Sequence, residues 1–195
     1  AAGIVLAGEY LQQQRATEAA LELATRDAYL GYFAPEVMAA MPLADHEAMY
    51  CAALLPQFTP AHAAQVGGLS DVAAVGAVFG RLYSRHFFTD QRSETGPVYA
   101  FHALFRDFLL SQAQQHWPPQ RLLDARRAAA GILLANQDPA AAMPLLAQAA
   151  DWPVYLAAIR QVISDPAVRA RHATVAAWLG QAPAPLVAAD PVLAR

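Results

Sequence analysis

The side chains here that could do chemistry are the six His, the single Cys and the acidic residues, and their spacing limits what that chemistry can be. His46-Glu47-Ala48-Met49-Tyr50 comes within one residue of the zinc-protease pattern H-E-x-x-H. That pattern sets two imidazoles one helical turn apart on one metal, with the Glu as base. Tyr50 stands where the second imidazole is needed, so the pair cannot form. The other His residues lack close ligand spacing, and a single Cys excludes a Cys-rich zinc site. Cys51 falls on an apolar helix face, where Cys reads as a small core residue. No G-x-S-x-G elbow occurs. No G-x-G-x-x-G follows a strand, and Gly67-Gly68 reads as a helix stop. All 13 basic residues are Arg. Without Lys, neither a P-loop nor a Schiff base can be built. The expectation is a chain with no catalytic residue and no metal site.

The elements that position these residues follow from composition and period. Of 195 residues, 56 % are hydrophobic and 15 % charged, enough for a packed core and unlike a disordered chain. Ala dominates the apolar count and favours helix. The formal net charge of −3 lacks the basic surplus that nucleic-acid binding draws on. One Cys suits a reducing cytosol. No apolar run of about 18 residues is present, so no membrane span is expected. Ala1 to Gly8 is apolar without a basic lead, which argues against a signal peptide and reads as the middle of a helix.

Helices are predicted over 3–14 and, as one or two segments, over 17–41, with Pro35 opening the second and Pro42 ending it. Asp45 is expected to cap a helix over 46–55. Thr59-Pro60 opens a short helix, 60–66, and Ser70 or Asp71 caps a third that runs to about Ser84. The period then changes to strand over 85–90, turn over 92–97 and returning strand over 98–101. Three short helices followed by a hairpin is the winged-helix order. From Ala103 the spacing is helical again, with Leu104, Phe105, Phe108 and Leu109 on one face. Pro118-Pro119 separates that helix from four more, at 120–135, 139–150, 152–163 and 166–180, with a kink expected at Pro144. These lengths and short joints suggest antiparallel helix pairs of solenoid type. The fold class expected is mainly α: a winged-helix domain with one β-hairpin, then antiparallel α-helical, TPR-like repeats.

The helix that would read DNA, 71–84, begins with an acid and offers Arg81 and little else suited to base edges. Direct nucleic-acid binding is therefore not expected of this segment. Arg106 and Asp107 read as surface or interdomain salt links. Trp117, Trp152 and Trp178, with Phe105 and Phe108, read as packing anchors.

The run Tyr99-Ala100-Phe101-His102-Ala103-Leu104-Phe105-Arg106-Asp107-Phe108-Leu109 resembles the aromatic-His-x-Leu-Phe-x-x-Phe-Leu signature of MalT-like STAND regulators, which are signal-transducing ATPases that activate transcription. Tyr32 to Val37, Arg81 to Phe88, Arg126 to Ala130, Ala149 to Trp152, Ala176 to Leu179 and Pro185 to Leu193 agree in order. Ala103 in place of a common Pro or His, and Pro144 where the family continues a helix, depart from the pattern. The resemblance implies three parts: 1–41, a helical lead-in from an ATPase module; 42–117, the winged helix; and 118–195, the start of a TPR-like superhelix. It implies a non-catalytic regulatory fragment of a bacterial, cytoplasmic LuxR-type activator. ATP and ADP belong to the parent protein, and no cofactor to this fragment. Its partners would be the ATPase domain of the same chain and an inducer or protein at the helical repeats; the alternative is that the repeats serve as an effector- or protein-binding module. His102 matches the family His that contacts the ADP phosphate when the ATPase domain is present. An imidazole at a helix N-terminus suits such a contact; the competing role is a buried hydrogen bond that fixes the wing to the helix.

Overall fold

A computed structural model describes residues 34–87, 89–91, 96–164 and 172–193. The helix expected over 3–14, most of that over 17–41 and much of the wing turn lie outside these residues. Residues 34–40 are helical (α1). There follow α2 (Leu43–Ala53), α3 (Pro60–Gly67), α4 (Val72–Ser84), β1 (Thr89–Gln91), β2 (Tyr99–Phe101) and α5 (Ala103–His116). The second half is α6 (Pro119–Ala135), α7 (Pro139–Gln148), α8 (Trp152–Ser164), α9 (His172–Gln181) and the short α10 (Ala184–Ala188). Helices α2 to α4 and a hairpin lead into a run of helices, as the sequence implies. No described helix is long and apolar enough to cross a membrane.

Helix starts follow local chemistry. The Thr59 hydroxyl accepts from the His62 N–H at 3.1 Å, with Pro60 in the first turn of α3. Asp71 accepts from the Ala74 N–H at 2.9 Å and opens α4. Asp138 does the same for α7, accepting from Ala141 at 3.1 Å. Each satisfies a backbone donor that has no partner within its own helix. Asp45 departs from the expectation. Helix α2 begins earlier, behind Pro42, and Asp45 instead pairs with the Arg81 guanidinium of α4.

Four helix ends, those of α3, α4, α6 and α7, share one device. Gly68, His86, Gln137 and Ala150 have φ of 64°, 55°, 58° and 50°. At each, that residue's N–H and the next residue's N–H turn back onto carbonyls of the last helical turn. In α4, for example, His86 N–H bonds to Tyr83 at 2.9 Å and Phe87 N–H to Leu82 at 2.9 Å. This is the paired C-terminal closure usually built on glycine. Only α3 uses glycine for it. The same closure shortens the first wing strand: Arg85 and His86 belong to the turn that ends α4, so β1 starts at Thr89.

The hairpin is antiparallel, pairing Thr89 with Phe101 and Gln91 with Tyr99. Phe58 adds a bridge on the other side of Tyr99, exchanging N–H···O bonds of 2.9 and 2.8 Å. Around it Phe58, Phe79 and Phe101 pack with ring centroids 4.7 and 4.8 Å from Phe58, and Phe105 stands edge-on to Phe101 at 5.5 Å. Helix α4 buries Val75, Val78, Phe79 and Leu82 against this cluster, one stripe at helical spacing.

Beyond Pro118, α6 and α7 form the most intimate helix pair. Ala125, Ala129 and Ala130 of α6 are fully buried, small side chains that permit its neighbours to pack closely. Helix α7 runs through Pro144 without interruption. Proline there removes one N–H and leaves the carbonyl of residue 140 without its usual donor. Helix α8 then packs on α7 and α9 on α8. The Tyr155 hydroxyl donates to the Trp178 carbonyl at 2.9 Å, and Arg160 pairs with Asp190 at 2.6 Å. Trp152 stands edge-on to Tyr155 at 5.4 Å.

Ala150 is exposed and pays for a left-handed conformation that its Cβ disfavours. Replacing Ala150→Gly should stabilise the chain by up to about 1 kcal/mol, read as a higher urea midpoint at unchanged m-value.

Candidate functional site

Helix α2 is the centre from which the site is built. Residues 48–55 are all buried, on every side of the helix, so α2 must be enclosed by its neighbours. It packs against α3, α4 and α5. Its closing carbonyls are then out of reach of water and need donors from elsewhere.

Arg106 supplies them. Its Nε donates to the Ala53 carbonyl at 2.7 Å and a terminal nitrogen to Leu54 at 3.5 Å. Burial pushes its guanidinium pKa down. The sequence reading of Arg106 as a salt link is corrected: it forms no ion pair among the described residues and closes a helix end. Asp107, next to it, is exposed.

The other end of α2 is tied to the helices that follow. Glu47 accepts from the Trp117 indole N–H at 2.8 Å and from Arg121 at 2.6 Å. Arg121 also donates to the Gly67 carbonyl at 3.0 Å, and its guanidinium sits 5.0 Å from the Trp117 ring centroid. One carboxylate thus joins α2, the end of α5 and the start of α6, and through Arg121 the end of α3. His46 and Tyr50, the other members of the metal-like quintet, have their own partners. His46 bonds to the Met38 carbonyl at 2.9 Å, and Tyr50 meets Trp117 edge-on at 5.8 Å. Glu47 escaped the sequence reading as a junction residue because its partners lie 70 and 74 positions further on.

Cys51 lies beneath this junction, fully buried. Burial pushes its thiol up to about 12, with the Glu47 carboxylate adding to the rise and Arg121 opposing it. The thiol is held protonated and inert. Gly67 comes close enough that a Cβ there would stand 3.0 Å from the Cys51 sulfur and 2.8 Å from Leu69, so this crossing needs glycine.

His102 sits between β2 and α5, at the N-cap of α5, and its side chain does not bond back to the helix. Its Nδ1 is buried and has no hydrogen-bond partner among the described residues. A buried, unmatched ring nitrogen costs roughly 1–3 kcal/mol. The structure brings His102 to the wing–helix junction with its Nδ1 unbonded among the described residues.

A comparison with protein families matches residues 34–121 to the MalT winged helix domain. No curated protein matches the chain.

Glu47→Ala should cost about 1–2 kcal/mol, toward the lower end because the Glu47–Arg121 pair is about a third exposed to solvent; urea unfolding measures it. A thiol reagent should leave Cys51 unmodified in the native chain and label it in denaturant. Because the folded pKa is raised, the Cys51 contribution to stability is complete below the ordinary thiol pKa of 9.0 and is lost as pH rises toward 12. Cys51→Ala should flatten that alkaline loss.

Proposed function

We propose, from the premise that residues 34–121 are a MalT-type winged-helix domain, that the chain is a non-catalytic regulatory segment of a STAND-type ATPase that activates transcription. In this reading the winged helix docks on the ATPase domain of the same polypeptide and helps to hold the resting, ADP-bound state. The helices from α6 onward begin a TPR-like superhelix that receives an inducer or a protein partner, in the cytoplasm.

The observation that carries the nucleotide part of this reading is the place of His102, half-buried at the N-cap of α5 with a side chain that makes no bond back to the helix. Such a place suits a group that supplies phosphate oxygens. His102 would hold the nucleotide by donating one hydrogen bond to it, from a position at the mouth of α5 where the helix dipole favours an anion. The nucleotide contributes charge and acceptors, and the ATPase domain performs any hydrolysis. The residues of this chain position and release.

The docking surface is proposed to be protein-facing rather than DNA-facing. On α4, the helix that would enter a groove, Arg81 is engaged by Asp45, and the exposed leading residues are Asp71, Val72, Ala73 and Ala74. Such a surface offers phosphates little.

In the full-length protein, His102→Ala should release ADP faster and raise basal transcription. Unchanged ADP retention with normal folding would assign His102 a purely structural role. A parent reading frame without an upstream P-loop would remove the regulatory reading itself.

A further inference from the structure

A second group of cations is left without carboxylates. A cavity of about 460 Å³ lies where the winged helix meets the helices that follow, within the roughly 300–1,000 Å³ typical of small-molecule sites. One wall is Leu54 and Pro56 after α2, with Arg106, Leu110 and Gln114 from a single stripe of α5. The opposite wall is Leu122 and Arg126 of α6, with Ala141, Pro144, Leu145 and Gln148 of α7. Two guanidinium groups thus share an otherwise mostly apolar space, and none of the lining residues is acidic.

The two arginines differ. Arg106 is held by the Ala53 and Leu54 carbonyls, which fixes its position. Arg126 has a buried Nε without a hydrogen-bond partner, and it makes no ion pair among the described residues. Its neighbour Arg127 shows the usual arrangement, reaching Asp124 at 3.1 Å, Asp151 at 3.7 Å and the Ala149 carbonyl at 3.3 Å. Arg126 turns instead to a space with no counter-charge. Burial lowers the pKa of both Arg106 and Arg126, the expected effect of a cation losing water without gaining a carboxylate as ion-pair partner among the described residues. Arg126 is half-buried, and only its Nε is both buried and unpartnered; the chain retains that unmatched donor where a cavity of ligand size adjoins.

We infer that this cavity binds a small organic anion, a carboxylate or phosphate carrying an apolar tail, with the anionic head on Arg126 and Arg106 and the tail against Leu54, Leu110 and Leu145. The paired terminal nitrogens of the Arg126 guanidinium suit two oxygens of either head group. The Gln114 and Gln148 amides offer further donors at the walls. Because one wall belongs to the winged helix and the other to the following helices, the occupant bridges the two parts and raises their joint stability by mass action. The site uses none of the atoms of the proposed nucleotide contact and stands or falls without it.

Isothermal titration of the full chain with hexanoate and with hexyl phosphate tests it, with hexanol and inorganic phosphate as controls. One of the two tailed anions should bind saturably, one per chain, and raise the thermal midpoint; which binds more tightly identifies the head group. Hexanol should not bind. Arg126→Gln should weaken binding by at least about tenfold. Arg126→Leu should abolish it while leaving the ligand-free thermal midpoint unchanged or higher, because a side chain with a buried, unpaired Nε is replaced by an apolar group. Absence of saturable binding by both tailed anions would overturn the inference. So would binding that survives both substitutions, or a fall in the ligand-free midpoint of Arg126→Leu, which would make Arg126 a structural residue.

Discussion

The structure depends on one constraint: a helix that is apolar on all sides must be enclosed, and its polar ends must be answered from distant parts of the chain. Helix α2 has no solvent face beyond its first turn. Its final carbonyls would be stranded in the core, each at a cost comparable to a lost hydrogen bond. Arg106, more than fifty positions later, reaches them. The cost of burying a guanidinium is offset by two carbonyl acceptors, and the register of α5 on α2 is set in the same act. The wing sits at the head of α5, so its placement follows from that contact.

The junction at Glu47 extends the same logic to the second half. A single carboxylate gathers an indole, a guanidinium and, through the latter, the end of α3. The winged helix and α6 are thereby linked by charge and hydrogen bonding as well as by apolar contact. For the proposed regulatory role this matters: a displacement of the helices that follow is felt by α2, and α2 is the helix on which α5 and the wing are seated.

Much of the architecture is legible in the sequence, because many of its signals are local. Thr59-Pro60, Gly67-Gly68, Asp71 and Pro118-Pro119 mark boundaries that the structure places within a residue or so. The stripe on α4 follows from its period. What was not legible has two physical origins. His86, Gln137 and Ala150 end helices in a left-handed conformation that carries no glycine signal, so sequence patterning overextends the first wing strand and carries α7 to 150. The partners of Asp45, Glu47 and Arg106 lie tens of residues away, and no spacing rule connects them. Glu47 drew notice as part of a failed metal motif, although its role is fixed by Trp117 and Arg121. His102 was located by its motif, while the burial of its Nδ1 is visible only in three dimensions. Arg126 lies in a run of ordinary helical sequence, and only the contrast with Arg127 separates it.

Trp117 has a consequence of a different kind. Its indole N–H is bonded to Glu47, and a guanidinium lies against its ring. An indole excited state is sensitive to charge and hydrogen bonding in its immediate surroundings. The protein therefore carries an intrinsic optical probe at the seam between its two parts, and emission from that side chain reports the opening of the seam without any attached dye.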